Sequence, residues 1–258
     1  MLCRDIMKVI ETTYPRHAAL EWDNVGLLVG RTEKEVHTIY VALDATDEVI
    51  ADAISQGVDM LITHHPLLFS PLKKITDEHF IGSRVVKLLQ HDISYYAMHT
   101  NYDVLGMAEK SGAILGLIDM EVLEMTDENS QKGIGKVGYL PEEMTVAEIS
   151  KLIKKKYSLD AVKVFGDLKK KARRIAISPG SGKHMSELAL TKGAEVFVTG
   201  DIDHHEGIDA VAQGLVIIDA GHYGLEHIFI ADIAQFIHEK FPNVKVIETE
   251  SKHPFQIV

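Results

Sequence analysis

The chain has 258 residues, 46% of them hydrophobic and 25% charged, with a formal net charge of −11. That length allows one large domain or two small ones with a real core, in an ordinary globular composition. The acidic balance argues against broad binding to nucleic acid or anionic membranes, but a bound cation could still admit a small phosphorylated substrate. A single cysteine, Cys3, makes no internal disulfide and no thiolate zinc cage, so any metal must be held by nitrogen and oxygen. No apolar run approaches the length of a membrane span, and the first residues carry no signal-peptide h-region; a cytoplasmic location is expected.

In chain order, a first helix is predicted over Cys3 to Thr13, ending before Pro15. A loop, Glu21 to Gly30, then leads into a strand. Thr38 to Leu43 is β-branched and apolar, and reads as a strand. Asp47 to Gln56 has helical apolar spacing through Val49, Ile50, Ala53 and Ile54, with Gly57 as its stop. Asp59 to Thr63 is a short buried strand that ends at His64-His65-Pro66. Ile93 to Met98 is another, running into His99-Thr100-Asn101-Tyr102-Asp103.

The second half repeats this plan. Arg174 to Ser178 is a strand, Lys183 to Thr191 a helix stopped by Gly193, and Glu195 to Thr199 the next strand. With Gly57 set on Gly193, Thr63 falls on Thr199, Ile39 on Ile175 and Ala53 on Ala189. Leu215 to Asp219 then leads to Gly221-His222 and Glu226, as Ile93 to Met98 leads to His99 and Asp103. An internal duplication follows. The polar stretch Thr126 to Gly138 is the best boundary, giving domains 1–128 and 129–258, with the final strand able to pack back on the first. Thr145 to Glu148 reads as a capping box opening a helix. The last helix is predicted over Gly224 to Phe241, and Val244 to Ile247 as a last strand.

Functional groups gather at the carboxyl ends of strands in α/β sheets. Three such ends deliver metal-ligand types. His64 and His65 leave a buried strand side by side; adjacent residues diverge, so they suit two neighbouring ions better than one. Pro66 keeps His65 extended. His222 and Glu226, four apart, share one helix face about 6 Å apart along the axis, so that they can grip a metal pair from one side. Asp103 supplies further negative charge, unless it merely caps the helix that Val104-Leu105 begins. His99 is read as a group orienting Asp103 or a bound water rather than as a ligand. Three histidines and two carboxylates suit zinc, manganese or iron. Two such ions about 3.5–4 Å apart can share a hydroxide and clamp a developing anion, with Glu226 as the bridging carboxylate. Asp201 and His205 follow the matching strand of the second copy and could bind substrate or shuttle a proton; otherwise they belong to a polar loop capping a helix. Trp22 and Asn24 could wall the cleft or cap a core. Ser178 to Lys183 looks like a phosphate-cradling turn without P-loop spacing.

Together these residues resemble a known family. The motifs are Glu21-Trp22-Asp23-Asn24-Val25-Gly26-Leu27, Ile62-Thr63-His64-His65-Pro66-Leu67, His99 to Asp103, Thr199-Gly200-Asp201 with His205, Gly221-His222-Tyr223 to Glu226, and Pro254-Phe255. The chain is similar, over its whole length, to the family named after the NGG-interacting factor three, often labelled GTP cyclohydrolase I type 2 homologues. The resemblance implies two topologically similar three-layer α/β/α domains, a dinuclear metal site in the cleft between them, and a ring-shaped homohexamer. It implies metal ligation at His64, His65, Asp103, His222 and Glu226. The expected function is metal-dependent hydrolysis of a nucleotide-like or phosphorylated small molecule, with Glu226 and His99 as catalytic groups. The competing expectation is a non-catalytic metal-binding or metal-handling scaffold.

Overall fold

The computed structural model describes residues 1–127, 131–250 and 253–256. They divide into two compact units. One comprises Met1–Tyr102 and Phe229–Ser251; the other comprises Asp103–Ile228 and Lys252–Val258.

The first unit is built on a five-stranded sheet in the order β1-β4-β3-β2-β11, where β1 is Gly26–Val29, β2 Thr38–Ala42, β3 Met60–Thr63, β4 Ser94–Ala97 and β11 Lys245–Glu248. β2, β3, β4 and β11 run parallel, and β1 is antiparallel to β4. β3 and β4 are buried along their whole length, which is why neither shows the polar alternation of a half-exposed strand. The helix Cys3–Thr13 buries Cys3, Ile6 and Ile10, one stripe at helical spacing. The helix Asp47–Ser55 is capped by Thr46, whose side chain accepts from Val49 N, and buries Ile50 and Ala53. A further helix, Phe80–Gln90, precedes β4.

The second unit holds a six-stranded sheet in the order β5-β6-β8-β9-β10-β7. Its strands are β5 Ile118–Asp127, β6 Lys132–Thr145, β7 Lys163–Phe165, β8 Lys171–Ser181, β9 Val196–Gly200 and β10 Val216–Asp219. β8, β9 and β10 are parallel, and β7 is antiparallel to β10. The series β7-β10-β9-β8 thus repeats β1-β4-β3-β2. Register repeats as well: Ile39 faces Met60 and Val41 faces Ile62, while their counterparts Ile175 and Ile177 face Val196 and Val198. The duplication is therefore structural as well as sequential. The capping box forms as predicted: Glu148 N donates to Thr145 Oγ1 (3.3 Å) and Thr145 N to Glu148 Oε2 (2.8 Å), opening the helix Val146–Lys156.

The division of the chain differs from 1–128 and 129–258. The polar stretch chosen as a linker lies within one sheet, because β5 pairs antiparallel with β6; residues 128–130 themselves lie outside the described residues. Chain-end segments return instead. The helix Ile228–Lys240 belongs largely to the first unit, and β11 pairs with β2 there, as anticipated for the last strand. The predicted last helix is also two, His222–Glu226 and Ile228–Lys240, separated at His227. Among the described residues no helix is long and apolar enough to cross a membrane.

Tyr95, Tyr96, Tyr157 and Tyr40 are among the tyrosines that are almost wholly buried. Burial disfavours their phenolates and raises all four pKa values; Tyr40, also hydrogen-bonded to Asp52, is pushed up from 10.0 to about 12. A raised folded pKa means that stability is intact below the ordinary value and is lost as pH rises toward the folded one. Each group then costs up to about 1.4 kcal/mol per pH unit, roughly 5 kcal/mol per unit for four, against a total of about 5–15. We expect cooperative unfolding within about three units above pH 10, with circular dichroism and tyrosinate absorbance changing together. Full tyrosinate absorbance in a still-folded chain would contradict this.

Candidate metal centre

β3 delivers His64 and His65 at its carboxyl end, and the turn after it is pinned by buried groups. Thr63 Oγ1 donates to His65 O (2.8 Å), Tyr95 OH lies 2.9 Å from the same carbonyl, and Leu67 N donates to Tyr95 OH (2.8 Å). This capture of the His65 carbonyl keeps the two imidazoles from diverging as adjacent strand residues usually do; their centroids are 4.9 Å apart. His64 is fully buried, with its ring 5.1 Å from Phe229 and 6.1 Å from Tyr102, whose hydroxyl is 2.6 Å from Asp232. His99, just beyond β4, joins them. His64, His65 and His99 each offer a ring nitrogen, and the three atoms lie within 4.8 Å of one another. His99 thus stands beside the two predicted ligands.

In the second unit, β10 ends at Asp219, a buried carboxylate that accepts from Gly221 N (3.0 Å) and from Lys163 (2.6 Å). Gly221 (φ +79°) then turns the chain into the helix His222–Glu226. Helical spacing brings His222 Nε2 to 3.0 Å from Glu226 Oε2, and Glu226 is only 4% exposed. Asp103 and Glu226 also offer oxygens within 4.8 Å of each other. Asp103 is not a helix cap: the helix has begun at Thr100, and Asp103 opens a π-helical turn, Asp103–Met107. Such turns gather at functional sites because they re-aim one side chain without ending the helix.

One feature of the hydrogen bonding recurs on all four histidines. His64 Nδ1 lies 2.8 Å from Met98 O, His65 Nδ1 2.8 Å from Asp44 Oδ1, His99 Nδ1 2.9 Å from Asp23 Oδ1, and His222 Nδ1 2.7 Å from Asp201 Oδ2. A carbonyl or carboxylate oxygen can only accept, so each Nδ1 donates and the lone pair of the neutral ring sits on Nε2. Carboxylates and carbonyls that fix a histidine tautomer in this way accompany metal ligation. In His222 that lone-pair nitrogen faces a carboxylate oxygen, an arrangement that a shared cation or a second ring proton relieves. Burial works against the charge of Asp23, but hydrogen bonds from His99 and from the Thr100 hydroxyl and backbone outweigh it and hold the carboxyl at about 2.

The backbone is shaped around these groups. Gly180 (φ +80°) ends the straight part of β8, and a Cβ there would lie 2.3 Å from Glu226 Oε1. At the end of β9, Gly200 passes against the start of the His222 helix; its Cβ would meet His222 N at 2.4 Å and Gly221 C at 2.7 Å. The donor chemistry, the fixed tautomers and this cradle under Glu226 fit a divalent metal.

The remaining predicted residues are placed differently. Asp201, anticipated as a substrate contact, is committed to His222 and sits at φ +58°, an uncommon conformation for a residue other than glycine. His205 is exposed on the first turn of the helix His204–Ala212 with its ring against His204, and joins no metal-type cluster among the described residues. Asn24 Nδ2 donates to Leu68 O (2.5 Å), bracing two loops. Trp22 is exposed, edge-on to His99. Ser178 to Lys183 forms no helix-opening phosphate loop: β8 runs to Ser181, and the helix starts only at Ser186. Sequence reasoning missed Asp44. The end of β2 is a strand end like the others, and the duplication sets Asp44, which holds His65, on Gly180, which lies against Glu226.

The family model described as Duf34/NIF3 (NGG1p interacting factor 3) matches residues 1–254. The chain belongs to the DUF34/NIF3 family. A Clostridium perfringens relative named GTP cyclohydrolase 1 type 2 homolog is 35% identical over 262 residues, covering 100% of both chains. A solved Staphylococcus aureus hypothetical protein superposes with a TM-score of 0.90 at 31% identity, covering 100% of this chain and 99% of that one. A Bacillus cereus protein related to NIF3 does so with a TM-score of 0.91 at 26% identity, again covering 100% and 99%. The two-sheet α/β architecture is thus that of the NIF3 proteins.

If Asp44 and Asp201 act by orienting histidines, Asp44→Asn and Asp201→Asn will each weaken metal affinity about 10- to 100-fold without unfolding the chain. Competition against a chromogenic chelator measures this. Affinity unchanged in both would remove the orienting role.

Proposed function

We propose that this DUF34/NIF3 protein is a metal-dependent hydrolase whose two divalent ions, zinc, iron or manganese, are held by His64, His65, Asp103, His222 and Glu226. The observation that carries this reading is the set of imidazoles whose Nδ1 atoms are all fastened to acceptors, leaving Nε2 as the coordinating nitrogen. When bound, the metals supply a hydroxide nucleophile near neutral pH and stabilise the developing oxyanion. The chain supplies the rest. Glu226, buried against Gly180, would serve both ions as their common carboxylate. His99, oriented by Asp23, holds or moves a proton at Nε2. Trp22 stands at the substrate side, and Asn24 acts there by bracing its loop. Asp201 serves the substrate only through His222, and His205 is kept as an outer contact. The substrate class is a nucleotide-like or phosphorylated small molecule, and the assembly a cytoplasmic homohexamer; both extend the family reading, and the GTP cyclohydrolase name belongs to the relatives.

The test is elemental analysis of anaerobically purified protein, followed by a hydrolase substrate panel with the metal found. Turnover should vanish on metal removal, return on reloading and be absent in His64→Ala. Equal turnover with and without metal would refute the hydrolase. Two ions per chain with no turnover on any phosphorylated or nucleotide substrate would favour the metal-handling scaffold.

A further inference from the structure

Two large aromatic rings are left in solvent beside the histidines of the first unit. Trp22 is 63% exposed and Phe69 54% exposed. Each ring stands edge-on to His99 with its centroid 5.8 Å away, at interplanar angles of 73° and 85°. They reach it from loops far apart in sequence.

These loops are held, not slack. Asp23 accepts from Thr100 N (3.0 Å) and Thr100 Oγ1 (2.6 Å), Leu20 N donates to Thr100 Oγ1 (2.9 Å), and Asp23 N closes a turn onto Leu20 O (2.9 Å). On the other side Leu67 is buried and bonded to Tyr95, and the Asn24 amide ties the two loops together at Leu68 O. The chain therefore spends hydrogen bonds to hold two rings in water, where neither gains the stabilisation that burying an aromatic of this size gives. A fixed π-surface flanking a group of metal-type ligands is what a planar ring stacks on.

Resting on the metal-dependent reading above, we propose that Trp22 and Phe69 are the specificity-determining residues of the site, and that its substrate carries a planar aromatic heterocycle stacked on them. The substrate's polar portion would then reach the histidines past His99.

The chain has one tryptophan, so intrinsic fluorescence reports Trp22 alone. The experiment titrates metal-loaded full-length protein with adenosine and guanosine monophosphates, and with ribose 5-phosphate, correcting for absorbance. The nucleotides should quench saturably and ribose 5-phosphate should not. Phe69→Ala should weaken nucleotide binding about fivefold to a hundredfold, Phe69→Tyr should restore it, and both variants should keep the wild-type metal content. Absent nucleotide quenching, equal quenching by ribose 5-phosphate, or an unchanged affinity in Phe69→Ala would each overturn the proposal. So would an emission shift driven by protein concentration alone, which would mean that the rings, with nearby exposed Leu72 and Ile75, bury against a second copy. If the protein takes up no metal, the hydrolase reading fails separately: nucleotide quenching would then still support stacking, and its absence would overturn it.

Discussion

Gly200→Ala lowers stability by about 3 kcal/mol or more and the thermal midpoint by roughly 6–12 °C. The methyl group would sit 2.4 Å from His222 N, 2.7 Å from Gly221 C and 2.8 Å from Gly180 O. All three are backbone atoms, from the start of the His222 helix and from the end of β8, so none can swing aside as a side-chain tip can. Ser181 is paired with Gly200 across the sheet, and Gly182 N donates to Gly200 O (2.9 Å), which removes the remaining freedom. Relief requires β9 and the helix to part, and the interior has no spare volume to absorb that. Differential scanning calorimetry of wild type and variant checks the effect. A midpoint within a degree or two of wild type would mean that the chains do not approach as described.

Gly180→Ala is expected to act the other way, sparing most of the fold and damaging the metal centre. Its methyl group would lie 2.3 Å from Glu226 Oε1, the tip of a flexible side chain. The carboxylate can yield, so the structural cost is mainly that of placing alanine at φ +80°, about 1–2 kcal/mol. Yielding displaces Glu226 from its place 3.0 Å from His222 Nε2. Loss of one carboxylate should lower metal affinity by at least the 10- to 100-fold that follows from disturbing a supporting group. Metal titration and thermal unfolding of the same preparation separate the two effects. A variant with wild-type metal affinity would show that Glu226 is not a ligand.

Much of this was legible because short parallel strands announce themselves. Thr38 to Leu43, Asp59 to Thr63, Glu195 to Thr199 and Leu215 to Asp219 are apolar runs bounded by glycine and polar residues, and the structure places a strand over each, to within a residue at its ends. Once two copies aligned, strand ends located the candidate ligands. Elements without that signature were not visible. The helix Phe80–Gln90 carries Gly82 and Ser83 in its first turn, which weakens its helical pattern. Charged and polar residues made the segment that includes an antiparallel strand pair resemble a linker. The return of Ile228–Lys240 to the first unit depends on contacts between residues far apart in the chain, which no local pattern encodes; of the returning segments only the last strand was anticipated. Asp44 and Asp201 show the same limit in the site. A carboxylate in a strand-end loop looks alike whether it caps a helix, faces substrate or fixes a histidine tautomer, and only the 2.7–2.8 Å contacts to His222 and His65 decide.

The central proposal is that two metal ions are held by His64, His65, Asp103, His222 and Glu226. Isothermal titration of metal-stripped protein with zinc, manganese or ferrous iron tests it most directly, run on wild type, His64→Ala and His222→Ala. The account predicts two ions per chain in wild type and weakened binding of the pair when either histidine is removed, although the two residues lie in different copies. Two ions bound with undiminished affinity in both variants, or no stoichiometric binding in wild type, would contradict it.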